Sequence, residues 1–270
     1  MPSKSGSSVT SLFQTANAQG NLSTASLQAL SVPDVGVAIQ NALGVSVDSV
    51  SASEVVLAGV MPDDSGSIRF AGNAQVVRDG HNMVIDALMG SKQKNSILFH
   101  TRYLNGLVLY PFGPLDQATR LDTHNYDPNL GTPLYDQSLV FLGTILAKWQ
   151  EFQDNGVPAR SVSLIVTDGH DEGSVRNTAK DVAAVIKDLL MTEMHIVAAM
   201  GIDDGGRTNF RAVFAEMGIE DKWILTPKNT PTEIRRAFGT FSQSAVRASQ
   251  SAVSFSKTAL GGLGGGFATP

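Results

Sequence analysis

The stretch Val55-Val-Leu-Ala-Gly-Val60, followed closely by Asp63-Asp64-Ser65-Gly66-Ser67, decides the reading of this chain. Its first part is a short unbroken apolar run, the pattern of a strand covered on both faces. Its second part turns abruptly polar, rich in residues that build tight loops. The same sequence of events recurs at Ser161-Val-Ser-Leu-Ile-Val166, followed by Thr167-Asp168-Gly169. Ile196–Met200 and Trp223–Leu225 are two further short apolar runs.

Between these runs the apolar spacing changes to a helical period. Gly72 to Met89 places Ala74, Val77, Val84, Ile85 and Leu88 on such a period, and Leu134 to Phe152 predicts a long helix with Pro133 at its first position. Thr178 to Leu190 and Phe210 to Met217 predict two more helices. Thr230-Pro231-Thr232-Glu233 has the spacing of a capping box and opens a helix expected to reach about Ser254. Ile97–Phe99 and Leu107–Tyr110 flank Asn105-Gly106, a hairpin turn signal. One hairpin followed by repeated strand–helix units predicts an α/β fold: a doubly wound, mostly parallel sheet with one antiparallel edge strand and helices on both faces.

The ends of the chain read differently. Residues 1–50 form a Ser-rich N-terminal extension, expected to be partly flexible, with one short helix within Ser31–Leu43. Residues 51–245 hold the α/β domain, and 246–270 the end of the last helix and a Gly-rich tail. Composition excludes several classes of function. The 270 residues contain no cysteine, which removes disulfides, zinc–thiolate sites, iron–sulfur clusters and thiol nucleophiles. Lys and Arg number 20 against 25 Asp and Glu, and the nearest approach to a basic cluster is Arg235-Arg236 inside a predicted helix, so no nucleic-acid partner is expected. No apolar run reaches membrane-spanning length and the start lacks a secretory h-region; no membrane partner and a cytoplasmic location are therefore the default expectations.

In doubly wound sheets, ligands bind outside the carboxyl ends of the strands. Three polar segments are expected there: Asp63 to Ser67, Gly131-Thr132-Pro133, and Thr167-Asp168-Gly169. Together they offer hard oxygen donors, the carboxylates of Asp63 and Asp168 and the hydroxyls of Ser65, Ser67 and Thr132. Mg²⁺ prefers six oxygens and keeps some water, with Mn²⁺ or Ca²⁺ as alternatives. Two carboxylates leave such an ion partly uncompensated and able to attract an external anion. The structural alternative has Asp63 and Asp168 capping helices while the serines satisfy loop backbone.

Asp63-x-Ser65-x-Ser67, then Thr132, then Asp168 resemble, in order and approximate spacing, the metal-ion-dependent adhesion site of von Willebrand factor A (vWA) domains. The resemblance spans roughly Ser51 to Ala245. It implies that Ser65, Ser67 and Thr132 touch the metal directly, that Asp63 and Asp168 do so directly or through water, and that a protein partner's Glu or Asp completes the shell. Ile68 stands where many family members carry methionine and is expected to face the core. The resemblance further implies a non-catalytic protein-binding module, an intracellular adaptor or assembly factor whose partner is an assembly component such as an AAA+ ATPase. A structural subunit that assembles through its terminal extensions, with an incidental metal site, is the alternative.

The neighbouring loops carry Asp122, Asp127, Asp171, Glu172, Asp203 and Asp204, with His124, His170 and Arg207. They read as solvated loop charge, or as an acidic rim that repels an acidic partner until metal is bound. No Gly-x-Ser-x-Gly elbow, Walker-type phosphate loop or dinucleotide fingerprint is present, so no enzymatic activity is expected.

Overall fold

The computed structural model describes residues 8–263. Six strands form one sheet: β1 (Val55–Met61), β2 (Ile97–Arg102), β3 (Val108–Pro114), β4 (Ala159–Thr167), β5 (His195–Gly201) and β6 (Ile224–Leu225). Their order is β3-β2-β1-β4-β5-β6. All neighbours run parallel except β2 and β3, the hairpin at one edge. The hairpin turns at Gly106, whose φ of +95° favours glycine. β1 and β4, both central, are buried along their whole length, as their unbroken apolar runs require.

Helices cover both faces. α4 (Gly66–Phe70) and α5 (Ala74–Met89) follow β1, α6 (Leu134–Asp154) precedes β4, α7 (Ala179–Met191) follows it, and α8 (Phe210–Glu216) and α9 (Pro231–Ser249) flank β6. His81 of α5 bonds the Thr101 hydroxyl, whereas the next residue back in β2, His100, stacks on Phe141 of α6. Successive strand residues face opposite sides, so α5 and α6 lie on opposite faces. α9 packs beside α5 and α7 beside α6. Ile68 is fully buried, as expected from its place after the serine motif.

The first fifty residues depart from expectation. They are not a loose arm over residues 9–40: α1 (Val9–Ala18), α2 (Thr24–Leu30) and α3 (Pro33–Gln40) form an outer layer against α6 and α7. Val9, Leu12, Phe13 and Ala16 recur at helical spacing and are buried. The serines that suggested disorder instead cap helices: Ser8 accepts from the Ser11 amide at 3.2 Å and Ser23 from the Ser26 amide at 3.3 Å. On α6, Gly143 admits this layer, since a Cβ there would lie 2.6 Å from Leu30 Cδ2 and 2.8 Å from Ile39 Cδ1. One continuous core therefore joins the layer to the sheet, and residues 9–40 are not free to serve as an assembly arm.

The last helix also differs. α9 stops at Ser249, short of Ser254, and α10 (Ala252–Gly261) begins afresh with Ser251 accepting from the Ser254 amide at 3.1 Å. The extended backbone of Ser251 breaks the helical run. Of the Gly-rich tail, residues 264–270 lie outside the described residues. No helix among the described residues is long and apolar enough to cross a membrane.

Candidate metal centre

β1 and β4 are hydrogen-bonded neighbours, with Met61 opposite Ile165, so the segments after them emerge side by side. Asp63 leaves the end of β1 and is fully buried. Its Oδ1 accepts from the Ser65 amide at 2.7 Å; its Oδ2 accepts from Thr167 Oγ1 at 2.7 Å and from the Asp168 amide at 3.3 Å. Tyr126 donates its hydroxyl to the Asp63 carbonyl. Asp63 thus ties the two loops together and fixes where Ser65 and Asp168 point.

The hydroxyls of Ser65 and Ser67 lie 2.8 Å apart, and Ser67 Oγ donates to Asp168 Oδ1 at 2.5 Å. Thr132 enters from a third segment. Ser65 bridges Leu130, Gly66 donates its amide to the Leu130 carbonyl at 2.9 Å, and Asn129 and Leu130 donate amides to the Asp64 carbonyl. Thr132 then opens the approach to α6, and a Cβ on Gly169 would lie 3.8 Å from its Oγ1. The structure therefore brings Ser65, Ser67 and Asp168 into one hydrogen-bonded chain, with Asp63 behind it and Thr132 beside it.

Burial raises the pKa of Asp63, against the pull of its hydrogen bonds. Asp168 is pushed up to about 7, first by burial and then by the charges of Asp63 and Asp204, while the Ser67 hydrogen bond opposes the rise. Carboxylates held this way, close and out of water, are relieved by a cation. The donor set fits a small hard one. With metal–oxygen distances of about 2.1 Å, neighbouring ligands of an octahedron sit roughly 3 Å apart, close to the Ser65–Ser67 separation. Among the described residues no group of three or more His, Cys, Asp or Glu is placed to hold a metal, so the hydroxyls are essential to any such site.

Sequence reasoning missed four supporting residues: Asp64, Asn105, Tyr126 and Thr167. Asp64, beside the motif's acid, accepts from the Asn105 amide at 3.0 Å and from its Nδ2 at 2.9 Å. Asn105 Nδ2 also reaches the Gly131 carbonyl at 2.7 Å, so the hairpin turn braces the Thr132 segment. Asn105 had signalled only a turn, and Tyr126 carried no local signal. Thr167, quoted only as a neighbour of Asp168, supplies a hydroxyl to Asp63.

Most acids of the rim serve their own loops. Asp203 accepts from the Gly205 and Gly206 amides, and Asp204 from the Arg207 and Thr208 amides, which is turn chemistry. Asp127 pairs with Arg69, Asp122 holds the His124 and Asn125 amides, and Asp171 accepts from the Tyr135 amide and the Ser174 hydroxyl. Glu172 pairs with His170 at 3.4 Å. His124 and His170 are surface side chains.

No family model and no curated protein sequence matches the chain. Two crystal structures of the pilus adhesin SpaC from Lactobacillus rhamnosus GG superpose on 72% of it, with TM-scores of 0.54 and 0.52 at 12% and 13% identity. The superposed parts are 31% and 30% of those chains, so this chain matches under a third of the adhesin's length. The fold is α/β and vWA-like. A von Willebrand factor type A protein from Catenulispora acidiphila aligns more loosely, at 19% identity over 73% of this chain and 43% of its own, with a TM-score of 0.48. The manganese-loaded TRAP protein of Plasmodium vivax aligns at 18% identity over 69% of this chain and 73% of its own, with a TM-score of 0.43. In this fold, Ser65, Ser67 and Asp168 occupy the carboxyl end of the sheet, where β1 and β4 lie side by side.

Proposed function

We propose that this vWA domain is a non-catalytic binding module that holds a divalent cation, Mg²⁺ in the first instance, and uses it to grip a carboxylate of a protein partner. The observation that carries this reading is the hydrogen-bonded chain Ser65–Ser67–Asp168, backed by the buried carboxylate of Asp63. Neutral hydroxyls supply much of the donor set, so a bound cation keeps net positive charge and attracts an anion from outside. Asp63 orients the loops, Ser65 and Ser67 present their oxygens, and Asp168 supplies the charge. The serine hydroxyls bond one another and Asp168, and among the described residues neither reaches a histidine or lysine that would act as a base. An adaptor role beside an assembly partner such as an AAA+ ATPase belongs to the same proposal and is supported by the resemblance alone.

Calorimetric titration of Mg²⁺ and Mn²⁺ into chelator-treated protein tests it, with Ser67→Ala and Asp168→Asn as variants. Saturable one-site binding is expected for the native chain, weakened at least about tenfold in each variant. An absence of saturable binding to the native chain, even with acetate present to complete the shell, overturns the proposal.

A further inference from the structure

Nine large apolar side chains among the described residues are left in water, and two of them flank the candidate metal loop. Phe70 is 89% exposed and Leu130 is 55% exposed. Phe70 ends α4, three residues beyond Ser67, and only Ile68 of that short helix is buried. Leu130 bridges Ser65 and lies two residues before Thr132. Gly66 lies between the two residues: a Cβ there would lie 3.5 Å from the Phe70 ring and 3.9 Å from the Leu130 backbone carbonyl. Ser65 and Ser67 are thus separated by a glycine that has the Phe70 ring beside it.

Phe70 also forms a wall of a groove of about 360 Å³ that contains Ser67 and Asp168 and continues to Asp204 and Arg207. Neither Phe70 nor Leu130 belongs to the core. An exposed aromatic beside a polar centre is the pattern of a docking face, in which buried apolar anchors surround and dehydrate the polar contact.

We infer that the partner presents its acidic side chain between large apolar side chains, which seat on Phe70 and Leu130 while the carboxylate reaches the Ser65–Ser67–Asp168 centre. This rests on the metal-dependent reading above and narrows its partner class to protein segments of acidic residue with apolar flanks. Water excluded by the apolar contact strengthens the carboxylate's interaction with the cation. Segments with an acidic residue among polar neighbours bind the same centre more weakly.

Two capped pentapeptides test this on the full chain loaded with Mg²⁺: glycine-phenylalanine-glutamate-leucine-glycine and glycine-serine-glutamate-serine-glycine. Affinities are read by NMR shift titration. The first peptide is expected to bind about tenfold more tightly, and the difference is expected to vanish in the double variant Phe70→Ser/Leu130→Ser. That variant should take up Mg²⁺ as the native chain does, because its altered side chains face solvent. Equal affinity of the two peptides, no binding of either to the loaded protein, or an undiminished preference in the variant overturns the inference while metal uptake stands. Failure of the native chain to take up metal would instead overturn the reading beneath it.

Discussion

Helix α6 joins two regions built on opposite principles. At its start, the Thr132 segment belongs to a polar centre held by hydrogen bonds among residues far apart in sequence, such as Thr167 to Asp63 across 104 positions. Along its length, α6 carries the outer layer α1–α3, held by apolar side chains at helical spacing. The polar centre supplies chemistry and little net stability, because its carboxylates are desolvated. The outer layer supplies stability and places no residue in the site. The two regions should therefore respond to different perturbations.

The largest expected effect is in the outer layer. Phe13 is fully buried between α1 and its neighbours, and Phe13→Ala should cost about 3–5 kcal/mol. Urea denaturation measures it as a lower midpoint at unchanged slope, with Mg²⁺ affinity retained below the transition. A free N-terminal arm would give no shift in midpoint, and a shared loss of stability and metal affinity would break the separation of the two regions.

The same contrast explains what could be read from the residues alone. β1 and β4 announce themselves because strands buried on both faces need unbroken apolar runs. The gathering of Asp63, Ser65, Ser67, Thr132 and Asp168 at the strand ends was legible because local chemistry sets their residue types and spacing, while their role as ligands belongs to the proposal. The clamp from Asp64 to Asn105 was not, since it spans 41 positions and depends on how the hairpin meets the first loop. Asp203-Asp204-Gly205-Gly206, by contrast, reads as turn chemistry from its residue types alone, and its carboxylates do accept loop amides. The outer layer was misread because serine density outweighed a short apolar period, Val9-x-x-Leu12-Phe13-x-x-Ala16, whose partner surface on α6 lies more than a hundred residues away.

Acid should act on the body of the domain and leave the outer layer's contribution unchanged. Burial lowers His81 to about 4 and His100 and His195 to about 3, with Arg102 adding to the effect on His100. All three belong to α5, β2 and β5, none to α1–α3. Below pH 6.5 the unfolded chain takes up protons that the folded chain refuses, so this stability is complete above pH 6.5 and is lost as pH falls toward 4. Each histidine contributes about 1.4 kcal/mol per pH unit in that window. Asp168 works in the opposite direction, because its raised pKa lets the folded chain bind a proton below about 7 that the unfolded chain binds only near 3.8. Asp63 and Asp64, also raised by burial, act as Asp168 does, so the net loss on acidification should be smaller than the three histidines alone would give. Denaturation midpoints across that range should fall in parallel for the native chain and Phe13→Ala. A stability that is flat or rises on acidification would show that the buried histidines do not outweigh the buried carboxylates.

The smallest effect sharpens the comparison most. Asp34 of α3 and Arg176 of the loop beyond Asp168 form an ion pair at 2.8 Å, a direct polar link between the outer layer and the segment that leaves the candidate metal centre. Their side chains are 75% and 50% exposed. An exposed pair gains little in water, loses side-chain entropy and is screened by salt. The same loop is held independently, since Asp136 of α6 accepts from the Val175 and Asn177 amides at 2.9 and 2.8 Å and from Asn177 Nδ2 at 2.8 Å. Asp34→Ala should therefore change stability by less than about 0.5 kcal/mol and leave Mg²⁺ affinity where it was. Paired denaturation and calorimetry on this one variant check both. A fall in metal affinity without a fall in stability would mean that the outer layer steers the site through Arg176, and that apolar support and polar chemistry are coupled across α6 after all.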